Sequence, residues 1–111
     1  MTINQYQQLA MRTANATLSP ESQLINGALG LSGESGEIAD MVKKYLFQGH
    51  KLDVDHILKE CGDCAWYLAL IATALKCPLE TLLQMNIDKL RKRYPDGFAA
   101  ERSINRKEGD V

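Results

Sequence analysis

Apolar positions along this chain recur every three to four residues, the spacing that lines one side of an α-helix, and no stretch sustains strand-like alternation. Four helical segments follow from that pattern. The first is amphipathic, from about Asn4 to Thr17. "LSPES" then supplies a start, with Ser19 as N-cap and Pro20 at the first helical position, and the second segment runs from there to about Phe47. "QGHKLDVD" reads as a loop in which Asp53 or Asp55 caps a third segment that reaches about Lys76. "KCPLE" opens the fourth, with Pro78 near its first turn, and "YPDGF" ends it as a turn by composition. Short connections between long helices favour antiparallel neighbours. The expected fold is therefore all-α, a compact four-helix-bundle-like domain over residues 1–98. Residues 99–111 are expected to be a charged tail, mobile or partner-dependent.

Placing the second segment on a wheel at about 100° per residue puts Leu31, Ile38, Met41, Val42 and Tyr45 on one apolar arc. Glu34 lies inside that arc and Glu37 at its edge. On the third segment Ile57, Cys61, Cys64, Leu68, Ile71 and Leu75 form the stripe. Glu60 borders it, Asp63 lies just outside, and Tyr67 falls between the two acids. Each helix thus carries an acid pair at i, i+3 on the same edge of its core-facing stripe, and packing the stripes together lets the pairs converge. Solvated surface charge is the competing explanation for any single pair; two pairs in matching phase favour a shared site. Burying several carboxylates is costly unless they are paired, and a divalent cation is the economical partner. All-oxygen ligation selects magnesium, manganese or calcium. No E-x-x-H occurs, which disfavours the diiron bundles that use it.

Three cysteines among 111 residues make no disulfide framework. The C-x-x-C of Cys61 and Cys64 could join His50 and His56 in a zinc site, but there is no second C-x-x-C. Inside the apolar stripe these thiols are expected to act as small buried hydrophobes. Gly27, Gly30, Gly33 and Gly36 step through the second segment at a helix-propensity cost of roughly 1 kcal/mol each. They mark either a weak or kinked helix or a close approach by a ligand or partner backbone. Trp66 and Leu70 point away from the main stripe, and this second apolar edge suits a surface between subunits.

Composition adds mainly exclusions. A formal net charge of −1 with 24 % charged residues offers no excess of basic charge for nucleic acid or membrane surfaces. No apolar run approaches the ~20 residues of a bilayer span, and the first residues lack a signal-peptide pattern. A cytoplasmic location is expected.

The stretches "GLSGESGEIADMVKK", "LKECGDCAWYLALIA" and "NIDKLRKRYPDGF" together resemble the MazG-like nucleotide pyrophosphohydrolases of the all-α NTP pyrophosphatase superfamily, over about residues 22–106. The resemblance implies hydrolysis of a nucleoside triphosphate to the monophosphate and pyrophosphate. It implies that Glu34, Glu37, Glu60 and Asp63 hold Mg²⁺, with Mn²⁺ as a possible substitute, and that a glutamate, Glu37 by choice, is the general base. Tyr67 matches a nucleotide-contacting aromatic or serves as a core tyrosine. Asn86, Lys89 and Arg93 on the fourth segment are candidates for phosphate or base, Lys44 and Lys59 for phosphate charge, and His50 for a substrate-touching loop. Arg102 or Arg106 would approach the phosphates if the tail closes over the site. Family members assemble as homodimers or homotetramers. The alternatives are phosphoribosyl-ATP hydrolysis on the same fold, or a non-catalytic helical dimer that senses nucleotide or metal.

Overall fold

A computed structural model describes residues 1–111. It contains five helices, α1 (Ile3–Met11), α2 (Pro20–Phe47), α3 (Val54–Ala74), α4 (Leu79–Arg93) and α5 (Ala100–Ile104), and no β-strand. The all-α class expected from the sequence is the one observed. The chain divides into two compact units, Met1–Leu79 and Glu80–Val111.

In the first unit, each boundary has a local cause. Thr2 and Gln5 form a reciprocal capping box that starts α1. The helix stops at Met11, six residues short of the expected Thr17. There Thr13 Oγ1 donates to Ala10 O, and Asn15 Oδ1 accepts from both the backbone and the hydroxyl of Thr17. Such short polar side chains offer the backbone an alternative to helix. Ser19 caps α2 with Pro20 behind it, as expected. Asp53, rather than Asp55, caps α3 by accepting from the His56 amide at 3.1 Å. At the other end of α3, Lys76 takes a left-handed φ of 55°. The amides of Lys76 and Cys77 bond back to Thr73 O and Ala72 O, a Schellman closure that ends the helix at Ala74.

The four glycines do not interrupt α2, which is continuous over 28 residues. Two of them admit α3 instead. A Cβ on Gly27 would lie 2.6 Å from Ile71 Cγ1, and one on Gly30 would sit far inside van der Waals contact of the Tyr67 ring. Gly33 and Gly36 face open space. The close approach at the first two positions is therefore made by side chains of α3.

Helix α1 packs on the other side of α3. The Trp66 indole N–H donates to Ala10 O at 3.0 Å and to Thr13 Oγ1 at 2.9 Å, and Leu70 is only 2 % exposed. The edge that suggested a subunit surface is thus covered within the chain, because α1 turns back onto it. Gln7 clamps the same end. Its amide nitrogen donates to Thr73 Oγ1 and Cys77 O, and its carbonyl accepts the Leu79 amide at 2.7 Å. Leu79 N–H is one of the amides that a helix start leaves without a helical partner. Gln7→Leu is expected to lower stability by about 1–3 kcal/mol, the cost of stranding these part-buried groups. A melting temperature equal to wild type would show that Gln7 is dispensable.

Few side chains are fully buried: Ala10, Ala69, Leu70, Ala72 and Leu79. The apolar arc of α2 is only partly covered, with Val42 and Tyr45 exposed. Cys61 is exposed and Cys64 half-buried, so the pair is less buried than its place on the stripe suggests. No single helix is long and apolar enough to cross a membrane.

The second unit is simpler. Arg91, Lys92 and Arg93 occupy the last turn of α4, where positive charge offsets the partial negative charge of the helix end. A turn closed by the Gly97 amide on Tyr94 O follows, and the Tyr94 and Phe98 rings meet at 5.4 Å. Residues 99–111, expected to be a mobile or partner-dependent tail, contain α5 and an ion pair back to α4.

Candidate functional site

Close packing of α2 on α3 brings three carboxylates together. One oxygen each from Glu34, Glu60 and Asp63 lies within 4.8 Å of the others. Glu34 comes one turn after Gly30, and Asp63 one turn before Tyr67, so the glycine–tyrosine contact sits directly beneath the acids. Glu34 and Glu60 are half-buried and Asp63 is exposed. A side-chain hydrogen bond to Glu60 raises the Glu34 pKa, helped by burial and by the charges of Glu60, Asp63 and Glu37. Crowding with like charge and partial burial both favour the neutral form of Glu34. The donor set is all oxygen and drawn from two helices, which fits a hard divalent cation.

Glu37 stands outside this group, exposed one turn farther along α2, although its charge still reaches Glu34. Two residues that the sequence pattern did not single out for this site border it. His56 Nε2 lies 3.0 Å from Glu60 Oε1, an i, i+4 pair on α3. The H-x-x-x-E spacing would have revealed it once Asp53 was known to start the helix. Tyr6 of α1 has its phenol pKa raised, by burial first and then by the charge of Asp63. No local signal connects Tyr6 to Asp63, since the contact depends on how α1 folds back.

The other candidates in the first unit have structural partners. Lys44 bonds Asp40 at 2.8 Å, which raises the lysine pKa and lowers that of the aspartate. Lys59 pairs with Asp55 on the exposed face of α3. The His50 amide bonds Lys44 O beside Gly49, whose φ is 71°, so the backbone of His50 serves the end of α2. Tyr67 packs over Gly30 and edge-on to Trp66.

Asn86, Lys89 and Arg93 lie on α4 in the second unit. Asn86 is exposed. Lys89 and Arg93 line an open cavity of about 680 Å³ with Lys92, Arg102, Arg106 and Lys107, six cations against four carboxylates. Arg93 is engaged there by Asp110, through Nε to Oδ2 at 2.8 Å and Nη2 to Oδ1 at 2.6 Å. The Arg93 bond lowers the Asp110 pKa, and Arg106 and Lys89 add to the effect. A lowered folded pKa means that the pair stabilises above the unfolded aspartate value of about 3.9 and is lost as pH falls through the lower folded value. A carboxyl-carbon NMR titration should therefore place the Asp110 midpoint below the unfolded aspartate value of about 3.9.

A tight α2–α3 hairpin with three convergent carboxylates defines an all-α protein with a candidate metal centre, and sequence comparison says which one. Residues 24–98 match the MazG nucleotide pyrophosphohydrolase domain. A relative from Mycobacterium phage L5, "Gene 37 protein", is 34 % identical over 114 aligned residues, covering 96 % of this chain and all of the relative. No solved structure gives a significant match. The chain belongs to the MazG nucleotide pyrophosphohydrolase family, and its activity class is that of a nucleotide pyrophosphohydrolase.

Proposed function

We propose that the protein hydrolyses a nucleoside triphosphate to the monophosphate and pyrophosphate, with Mg²⁺ held by Glu34, Glu60 and Asp63, in the service of nucleotide-pool control or house-cleaning. The observation that carries this is the convergence of three carboxylates from two helices, one oxygen of each within 4.8 Å of the others. Magnesium, when bound, supplies positive charge at phosphate oxygens and lowers the pKa of a coordinated water. Glu37 is exposed beside the group, where a carboxylate has room to take a proton from water, and we assign it that role, with the option of completing the ligand set. His56 holds one Glu60 oxygen at 3.0 Å and so helps to orient this carboxylate. Lys89 and Arg93 are assigned to phosphate, and Asn86, Tyr67, Lys44 and His50 stay as candidates for nucleotide contacts.

Assembly into a homodimer or homotetramer belongs to the same proposal, since one chain leaves much of its apolar arc uncovered. Light scattering that returned a monomer mass would remove that part. The activity is tested with a panel of canonical and modified triphosphates, phosphoribosyl-ATP included, by pyrophosphate release with and without Mg²⁺. Turnover of phosphoribosyl-ATP alone would redirect the substrate assignment. Tight nucleotide binding without turnover would leave a sensor rather than an enzyme.

A further inference from the structure

The cavity of the second unit already holds an anion, and that anion is a side chain of the protein. Asp110 presents both oxygens to the guanidinium fork of Arg93, in the bidentate arrangement that arginine offers equally to a phosphate. The arginine side chain is 9 % exposed and the aspartate 16 %. Arg106 and Lys89 lie close enough to act on the same carboxylate. A turn places Asp110 there, with Gly109 at φ 83° and the Asp110 amide on Lys107 O. The Arg93 bonds are the hydrogen bonds that tie residues 106–111 to α4; the remaining backbone bond of this segment is local. A single ion pair therefore both closes the segment and fills the cationic fork.

We propose that Asp110 is an internal competitor for a polyphosphate at Arg93, so that a phosphate-bearing ligand enters this cavity by displacing the 106–111 segment. The assignment deepens the nucleotide reading above and rests on it for the identity of the natural ligand. Its own content is the exchange of carboxylate for phosphate on one guanidinium. The two anions cannot share this edge of the guanidinium, because Arg93 Nε and Nη2 are both committed to Asp110. Removing the aspartate charge leaves a cavity with a larger cationic excess and no carboxylate on the Arg93 fork, so an external anion should bind more tightly.

The test uses inorganic tripolyphosphate and the full-length chain, titrated calorimetrically in EDTA at low ionic strength so that the acidic centre contributes no metal-bridged binding. Asp110→Asn is expected to bind at least about tenfold more tightly than wild type, one decade of affinity corresponding to about 1.4 kcal/mol. Asp110→Ser should behave alike, with no amide left to hold Arg93, and Arg93→Ala added to either variant should abolish the gain. Unchanged or weaker binding in both Asp110 variants would overturn the competitor role and make the pair a structural tether. The outcome is separable from the enzymatic reading. A protein that gains tripolyphosphate affinity but hydrolyses no triphosphate keeps the competitor and loses the enzyme.

Discussion

Glu60→Gln is expected to reduce pyrophosphate release by roughly 10²–10³-fold or more, on the scale seen when one electrostatic contact to a reacting group is lost. The substitution keeps the size and polarity of the side chain and removes only its charge. Glu60 sits between Glu34, whose pKa it raises by hydrogen bond and charge, and His56 at 3.0 Å, so its charge acts on both neighbours. The same change should leave the metal-free protein as stable as wild type or more so, because it removes repulsion from a cluster in which neighbouring carboxylates already raise the Glu34 pKa. That opposite pair of signs separates a functional cluster from a structural one. Asp63→Ala should show the same loss of activity. A Glu60→Gln protein that retained wild-type turnover, or that lost activity only by unfolding, would sink the metal-centre assignment. Circular dichroism and a thermal melt in EDTA, beside the pyrophosphate assay, read both halves.

The second large effect is expected at Gly30. An alanine there adds one methyl group, and that methyl lies inside the van der Waals surface of the Tyr67 ring. The ring has little freedom to retreat, because its neighbour Trp66 is edge-on to it at 5.1 Å and is itself bonded to Ala10 and Thr13. Helix propensity gains up to about 1 kcal/mol from Gly→Ala, while overpacking costs typically about 1–3 kcal/mol, so the net change is a loss. The consequence for the site is larger than for the fold. Gly30 and Tyr67 are each one helical turn from an acid of the cluster, so forcing α2 and α3 apart at this level draws Glu34 away from Glu60 and Asp63. A displacement near 1 Å is enough to cost about 100-fold in a positioned reaction. Gly36→Ala is the control, since a Cβ there meets nothing. It should be as stable as wild type or more so, and equally active. A Gly30→Ala protein with unchanged Mn²⁺ affinity and turnover would show that the close approach is not needed to assemble the site.

Much of this was legible before any tertiary information. Ser19 and Asp53 start their helices through bonds to residues three positions away, and Pro20 through its fixed φ at the first helical position, all within a range that sequence reading covers well. The phase of Glu34, Glu60 and Asp63 against their apolar stripes is likewise a property of each helix alone, and the three do converge. The early stop of α1 was misjudged because hydrophobic period outweighed the local side-chain bonds of Thr13 and Asn15. The edge of Trp66 and Leu70 suits a subunit surface on the wheel and is covered by α1 in the fold, because the wheel shows which way a residue points but not what stands there.

The chain by itself determined which segments are helical and which edge of α2 and α3 carries the acids, because both depend on neighbours within about one turn. Its family also follows from sequence, through the order and spacing of those acids. Only the tertiary structure decided that Gly27 and Gly30 are the contact glycines, while Gly33 and Gly36 are not. It alone set Glu37 outside the inner group, put Tyr6 near Asp63, and folded Asp110 onto Arg93. Most of these depend on where two elements cross, and a crossing is fixed by the packing of side chains far apart in the chain, which no local pattern encodes.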